Sequence, residues 1–429
     1  MTAADVSDKS MSAPRRRLLV LSPFSPRLDS AHGGARAIAQ LVSRLAERHD
    51  VALLCVPADD DLPVDDVLRA RCDLVEEFVR RGVGRTWKKR WSRRARLLAA
   101  LAKGRPMWVA DLHVAEFAVR ASQLAETWGP DVIQIEFHAM SQYRQALTSS
   151  PAPVVLTQYD PGSAASREAV ALHHGAMRAL QRLDALAWSR FERRALATVD
   201  AVVTFTERDR QEVLHLRADA LVVQIPLATD VPSRPLSPAG DPPPSLAFVG
   251  NFVHPPNVDA ATRLVLDIFP RLERAHPESV LYIVGEGPPR KLAGLSRERV
   301  VVTGRVPDVT PYLDAAAVIA VPIRMGGGTR VKVLEALAAG KAVVASRRAL
   351  EGLGVVDGEH VLVAETDAEF ADAIGHLLVN RELRVALARR ARQWACANVR
   401  WDRSIEAYEA LYERLLAQDR SLAMTHGRS

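Results

Sequence analysis

Residues 320–346, AVPIRMGGGTRVKVLEALAAGKAVVAS, constrain the fold more than any other stretch, because the apolar pattern changes period on either side of a glycine run. Ala317 to Pro322 is a short apolar run of the kind that forms a strand covered on both faces of a parallel sheet. Gly326, Gly327 and Gly328 free the backbone to turn tightly and let a ligand approach bare main chain. From Thr329 the spacing of Val331, Leu334, Leu337 and Ala338 predicts a helix that stops at Gly340, and Ala342 to Ala345 predicts the next strand. A unit of this kind aims free amides and the positive end of a helix into one crevice. That is an anion site, suited to phosphates.

Arg330 and Lys332 add positive charge beside the loop, and Glu335 sits one turn into the helix within VKVLEALAA. A carboxylate left unpaired in such an apolar run is costly. Near a phosphate site it can accept hydrogen bonds from a sugar diol, and phosphate with ribose suggests a nucleotide. The plainer alternative is a structural glycine turn with a solvent-facing Glu335.

The same order of strand, loop and helix occurs elsewhere in the chain. Leu18–Leu21 predicts a strand, SPFSPRLDSAHGGA a loop, Arg36 to Arg48 a helix and Val51–Val56 a second strand, which is how a nucleotide-binding α/β domain opens. His32, Gly33 and Gly34 fall at the carboxyl end of the first strand, where such sheets bind ligands. DVIQIE (131–136) and VVLTQ (154–158) predict two more strands, so Glu136, His138 and Asp160 are expected in the cleft. One long helix is predicted over Ser166 to Ala197, then a strand over Ala201 to Phe205. Residues 232–244, PSRPLSPAGDPPP, have neither helix nor strand potential and predict a stiff linker. After it the pattern restarts with strand Leu246–Val249, loop GNFVHPPN, helix Val258–Leu272 and strand Val280–Val284, followed by Val300–Thr303 and GRVPD. Two α/β domains, 15–231 and 245–398, are therefore expected to face each other, with residues 1–14 disordered and 399–429 forming a terminal helix.

A chain of 429 residues has room for two or three cores, and 48% hydrophobic with 25% charged residues is ordinary for a globular enzyme. Cys55, Cys72 and Cys396 are odd in number and lack metal-ligand spacing, as expected of a reducing compartment without a disulfide framework. No run approaches a membrane span, and the LLVL after Arg15–Arg17 is too short for a signal peptide, so a cytoplasmic protein is expected. The net charge of +6 permits contact with phosphate, anionic lipid or nucleic acid. Residues 80–105 contain no acidic residue, and Trp87, Trp91, Leu98 and Leu101 recur at roughly helical spacing among Arg and Lys. A basic helix with interfacial tryptophans suits an anionic membrane. A solvated basic face with its tryptophans packed inward is the alternative. Nucleic acid would require a recognition module, and none accompanies the charge.

The stretch from 320 to 346 resembles the donor region of retaining glycosyltransferases of family 4, glycosyl transferases group 1, and within them an exopolysaccharide-associated sub-branch with a Gly-rich loop before LEA. The resemblance implies a GT-B fold: two Rossmann-like domains across a cleft, with a last helix, here after Trp401 in VRWDRSIEAYEALYERLL, returning to the first. It implies a UDP- or GDP-sugar donor, a glycan or polyprenyl-linked acceptor and retention of configuration. It implies no metal and no other cofactor. Glu335 matches the ribose ligand, while the family's earlier Glu is replaced by Gly327. Gly250 and Asn251 stand in the donor loop, but Asn251 and Pro256 occupy the places where many members carry Arg and Lys. Arg330 and Lys332 are then the cations for the diphosphate, with Gly326, Gly327, Gly328 and Thr329 supplying amides. Arg305 and Val306 are the expected base contacts. His32, Gly33 and Gly34 would face donor phosphates and acceptor, and Glu136 or His138 would stand where a family His meets the donor sugar. A sugar-nucleotide epimerase of the same fold, or a non-catalytic binding protein, are the alternatives.

Overall fold

A computed structural model describes residues 14–30, 32–59, 61–80, 87–159, 161–326 and 331–426. The expectations for residues 1–13, Asp160, Gly327, Gly328, Thr329 and Arg330 lie outside the described residues, as does the side chain of Trp87.

Two wholly parallel sheets organise the chain. The first contains β1 (Arg17–Ser22), β2 (Asp50–Cys55), β3 (Leu74–Glu77), β4 (Val132–Glu136), β5 (Val154–Gln158), β6 (Ala201–Thr204) and β7 (Val222–Gln224), in the order β3-β2-β1-β4-β5-β6-β7. The second contains β8 (Ser245–Val249), β9 (Val280–Val284), β10 (Val300–Gly304), β11 (Val318–Val321), β12 (Ala342–Ala345) and β13 (Leu362–Val363), in the order β10-β9-β8-β11-β12-β13. Helices cover both faces, so the central strands read as unbroken apolar runs; Leu18, Leu19, Val20 and Leu21 are all fully buried. Alternation along β1 then sends Leu18 and Val20 into one core and Leu19 and Leu21 into the other. In each sheet the order reverses beside its first strand, between β1 and β4 and between β8 and β11. A crevice opens at the carboxyl ends of strands at such points.

Two predicted helices are interrupted. The stretch expected over Ser166 to Ala197 is two helices, Gly162–Leu172 and Gly175–Leu196, with the break at His173 and His174. Gly175 takes φ +57, a left-handed turn that glycine adopts without steric penalty. The helix expected over Val258–Leu272 runs from Pro255 to Ala275 but widens to a π turn at Leu264–Ile268, where the Phe269 amide bonds back to the Leu264 carbonyl. Pro270 has no amide to donate, and the wider turn absorbs the missing bond.

Residues 232–244 form no helix or strand, yet they are strapped to the second domain. Leu236 N donates to Ala339 O (2.8 Å), Ser237 N to Asp314 Oδ1 (2.6 Å) and Asp241 N to Ala315 O (2.9 Å). The C-terminal helix, Trp401–His426, returns to the first domain. It buries Tyr408, Tyr412 and Leu415, the Tyr412 hydroxyl bonds Gln134 of β4, and Arg48 pairs with Glu409 at 2.8 Å. Among the described residues no helix is long and apolar enough to cross a membrane.

Candidate active site

A cleft of about 850 Å³ lies between the domains, lined by loops that leave β1, β4, β5 and β6 on one side and β8 to β11 on the other. On the second domain its floor is built by close backbone contact. Gly285, after β9, has φ +141, and a Cβ there would lie 1.9 Å from the Gly250 carbonyl oxygen, so only glycine lets the two loops touch. A Cβ on Gly250 would in turn come within 3.2 Å of both Asn257 and the Lys332 ammonium. Asn251 Oδ1 accepts from Val253 N at 3.0 Å, and its carbonyl accepts from Asn257 Nδ2 at 2.7 Å. Lys332 Nζ donates to Asn257 Oδ1 at 2.6 Å and lies 4.5 Å from the Phe248 ring centroid. Positive charge thus stands directly over the Gly250 turn, although Asn251 and Pro256 are neutral. Val306 lines the cleft. Arg305, exposed, stands 3.9 Å from Glu286.

Gly326 takes φ +85 and is gripped from two sides: its amide donates to Glu168 Oε2 of the first domain (3.1 Å), and its carbonyl accepts from Arg348 Nε (2.9 Å). Arg348 and Arg208 both pair with Glu168, and both reach Glu351 at 3.0 Å, so two residues from each domain close a ring of alternating charge beside the loop. Glu335 lines the same cleft from the helix Val331–Ala338. Its side chain is 29% exposed and is paired, not free at the surface. Arg36 of the first domain reaches across, with Nη2 2.7 Å from Oε1 and 2.9 Å from Oε2. Burial pushes the Glu335 carboxyl up, and Arg36 and Lys332 pull it down.

On the first domain, His32 caps the helix Gly33–Arg48, its Nδ1 accepting from Ala35 N at 3.1 Å. Its ring lies 4.4 Å from Phe24 and 5.2 Å from His254 of the opposite domain. Burial, then His254 and Arg36, push its pKa down to about 4. A Cβ on Gly34 would lie 2.8 Å from the Phe137 ring, and one on Gly33 would touch Val331 at 3.6 Å. The helix starting at Gly33 and the helix starting at Val331 therefore bring their amino ends together at the cleft.

Residues 243–380 match the family model described as glycosyl transferases group 1. That match spans most of the second domain and none of the first. An uncharacterized glycosyltransferase of Methanocaldococcus jannaschii is 26% identical over 180 residues, 40% of this chain and 45% of that protein. The chain thus matches less than half the length of that relative. Among solved structures, sucrose-phosphate synthase from Thermosynechococcus elongatus superposes with a TM-score of 0.69 at 18% identity, covering 94% of this chain and 100% of that one. Anabaena HepE in complex with UDP and glucose superposes with a TM-score of 0.66 at 14% identity, over 94% and 100%. The fold is GT-B.

Two catalytic expectations for this glycosyltransferase fold do not reach the cleft. Glu136 is fully buried; Gln134 Nε2 donates to it at 2.5 Å and Tyr159 OH at 2.8 Å. Strand alternation puts residues 134 and 136 on one face of the sheet, under the C-terminal helix. Its pKa is pushed up to about 7 by burial, against the pull of Gln134 and Tyr159. His138 is packed between Trp108 (5.6 Å) and Trp188 (4.8 Å), neither ring nitrogen has a hydrogen-bond partner among the described residues, and burial lowers its pKa to about 3. The cause of this displacement is Phe137, whose φ of +66 is rare and strained for a bulky residue. That turn sends the Phe137 ring into the cleft, stacked on Tyr159 at 4.2 Å, and His138 into the wall behind it.

Arg36, Phe137, Gly285 and Glu168 escaped the sequence reading. Gly285 had a signal, the GEGP turn after an apolar strand. The others carry no local mark. The basic stretch is also changed by its context: in the helix Trp87–Ala102, Arg93 and Arg96 join Arg80 around the buried Asp111, at 2.6, 3.4 and 3.3 Å. Leu101 is buried, whereas Trp91 and Leu98 are 64% and 51% exposed.

Proposed function

We propose that the chain is a metal-independent glycosyltransferase that moves a sugar from a UDP- or GDP-sugar to a hydroxyl of a glycan or polyprenyl-linked acceptor, with retention of configuration. The observation that carries this reading is Glu335, held at the cleft floor one turn behind the glycine loop, with Lys332 over the Gly250 turn and two helix amino ends converging. The complex of HepE with UDP and glucose supports a nucleotide sugar as the donor. In transfer the bond from the anomeric carbon to the diphosphate breaks and negative charge grows on the leaving oxygens. Lys332, Arg330, the loop amides and the helix ends stabilise that charge where other enzymes use a metal ion. The acceptor oxygen bonds the anomeric carbon on the face the diphosphate leaves, and its proton passes late to a phosphate oxygen, so a strong side-chain base is not required. Burial of Glu136 and His138 fits this, because neither side chain is placed to act as that base.

The test is calorimetric titration with UDP and GDP. Glu335→Gln is expected to weaken binding by about 1.5–3 kcal/mol, the value of a hydrogen bond to a charged group. Unchanged affinity removes Glu335 from the site. Release of UDP or GDP only when an acceptor is present separates the transferase from an epimerase and from a binding protein.

The proposed place of work is the inner face of the cytoplasmic membrane, in cell-surface polysaccharide synthesis. Trp91 and Leu98 are exposed beside Arg94, and the helix Gly175–Leu196 packs alongside. That second helix exposes Met177, Leu183 and Leu186 among Arg178, Arg182, Arg190 and Arg193, while both of its acids, Asp184 and Glu192, are buried. Apolar side chains interleaved with cations on adjacent helices suit an anionic lipid surface.

A further inference from the structure

Arg36 is the one described cation of the first domain that touches the donor-side carboxylate, and its grip has a particular form. Nη2 donates to Glu335 Oε2 at 2.9 Å and stands 2.7 Å from Oε1, while Nη1 is anchored on the Ser30 carbonyl at 2.8 Å. An ionised carboxylate offers about four lone-pair sites. That single hydrogen bond, to Oε2, leaves each oxygen with a free site. A vicinal diol, with two hydroxyl donors, needs that arrangement.

We propose that Arg36 completes the nucleotide site from the opposite domain, holding Glu335 ionised and oriented so that each of its oxygens can accept one hydroxyl of a ribose diol. The inference rests on the reading of Glu335 as the ribose ligand. Arg36 is a positioning residue, because it acts through Glu335. Among the described residues the charged groups facing Glu335 are Arg36, Lys332 on its own helix, and Asp230 on the segment that leaves the first sheet, itself bonded by Gln40 and Arg44. His32 and His254, in the same cleft, are pushed toward the neutral form by burial. Without Arg36, burial and Asp230 push the carboxyl up with only Lys332 opposing. A protonated Glu335 would itself donate, and could no longer accept from both hydroxyls.

The experiment compares UDP and GDP with their 2′,3′-dideoxy counterparts by calorimetry, from about pH 6 to about pH 8.5. The wild type is expected to prefer the ribo form by about ten- to a hundredfold, the range for hydrogen bonds to a charged group, at every pH. In Arg36→Ala the preference should fall at least about tenfold at the acid end and recover partly as pH rises, since a raised carboxyl ionises only at higher pH. Arg36→Lys should restore most of it, which also guards against a folding defect in the alanine variant. If Arg36→Ala keeps the full preference at all pH values, Arg36 is a structural ion pair and the inference fails while Glu335 stands. If Glu335→Gln also leaves the preference intact, the ribose reading of Glu335 fails and takes this inference with it. A wild type that binds neither diphosphate overturns the nucleotide reading itself.

Discussion

Replacing Glu136 by Gln should stabilise the protein at alkaline pH and leave it nearly unchanged at acid pH. The carboxyl is fully buried with two neutral hydrogen-bond donors, and burial pushes its pKa to about 7 from an ordinary 4.5. The folded state therefore binds this proton more tightly than the unfolded chain does. The stability it contributes is complete below the unfolded value and is lost as pH rises through about 7. A gap of that size corresponds to about 3 kcal/mol. Gln is neutral at every pH and can satisfy the same neighbours: its carbonyl accepts from Tyr159, and a flipped Gln134 amide accepts from its NH₂ while donating to the Tyr412 oxygen. For a domain of this size each kcal/mol moves the apparent Tm by about 2–4 °C. Thermal unfolding followed by circular dichroism should then show Glu136→Gln melting roughly 6–12 °C above wild type at about pH 8.5, with the gap closing toward about pH 5. Taking the difference between the two curves removes the titration of other groups, such as His49. A difference that stays constant across this range would mean that the carboxyl is not the isolated buried acid described above.

Arg330→Ala combined with Lys332→Ala should lower turnover far more than it lowers affinity for a bare nucleoside, since both cations are assigned to the diphosphate; near-wild-type turnover would move that charge elsewhere. Activity should also persist in EDTA, and loss that Mg²⁺ restores would refute metal independence. The wild type should co-sediment with anionic vesicles at low salt and be released at high salt, while a variant with Lys88, Lys89, Arg90 and Arg94 changed to Ser should stay in solution. Arg93 is kept in that variant because it serves Asp111, and a wild type that never sediments defeats the membrane reading. Glu168→Gln should weaken the charge ring between the domains by about 1 kcal/mol, a modest value because its members are a quarter to a third exposed. Small-angle scattering should report a larger mean radius of gyration, and an identical profile would show that the ring does not hold the domains together.

The amino-acid sequence determined what depends on a short window. The apolar runs around Leu18 and Val318, the glycines at 326 and 340, and the restart after the Pro-rich 232–244 segment each encode their strand, turn or boundary within a few residues. Two parallel α/β domains were legible for that reason. A single break such as the one at His173 and His174 was not, because helix period continues on both sides of it. Only the tertiary structure decided which side chains meet. Arg36 and Glu335 are 299 residues apart and pair because the two sheets present their carboxyl ends to one cleft. Glu168 and Arg348, 180 residues apart, grip Gly326 for the same reason. At the end of β4 one backbone angle exchanged the roles of neighbours, turning Phe137 toward the cleft and His138 away from it. Periodicity fixes which face of a strand a residue occupies, but beyond the last strand residue it fixes nothing. There the packing of Tyr159, Gly34 and Trp108 around one ring sets the direction of the chain.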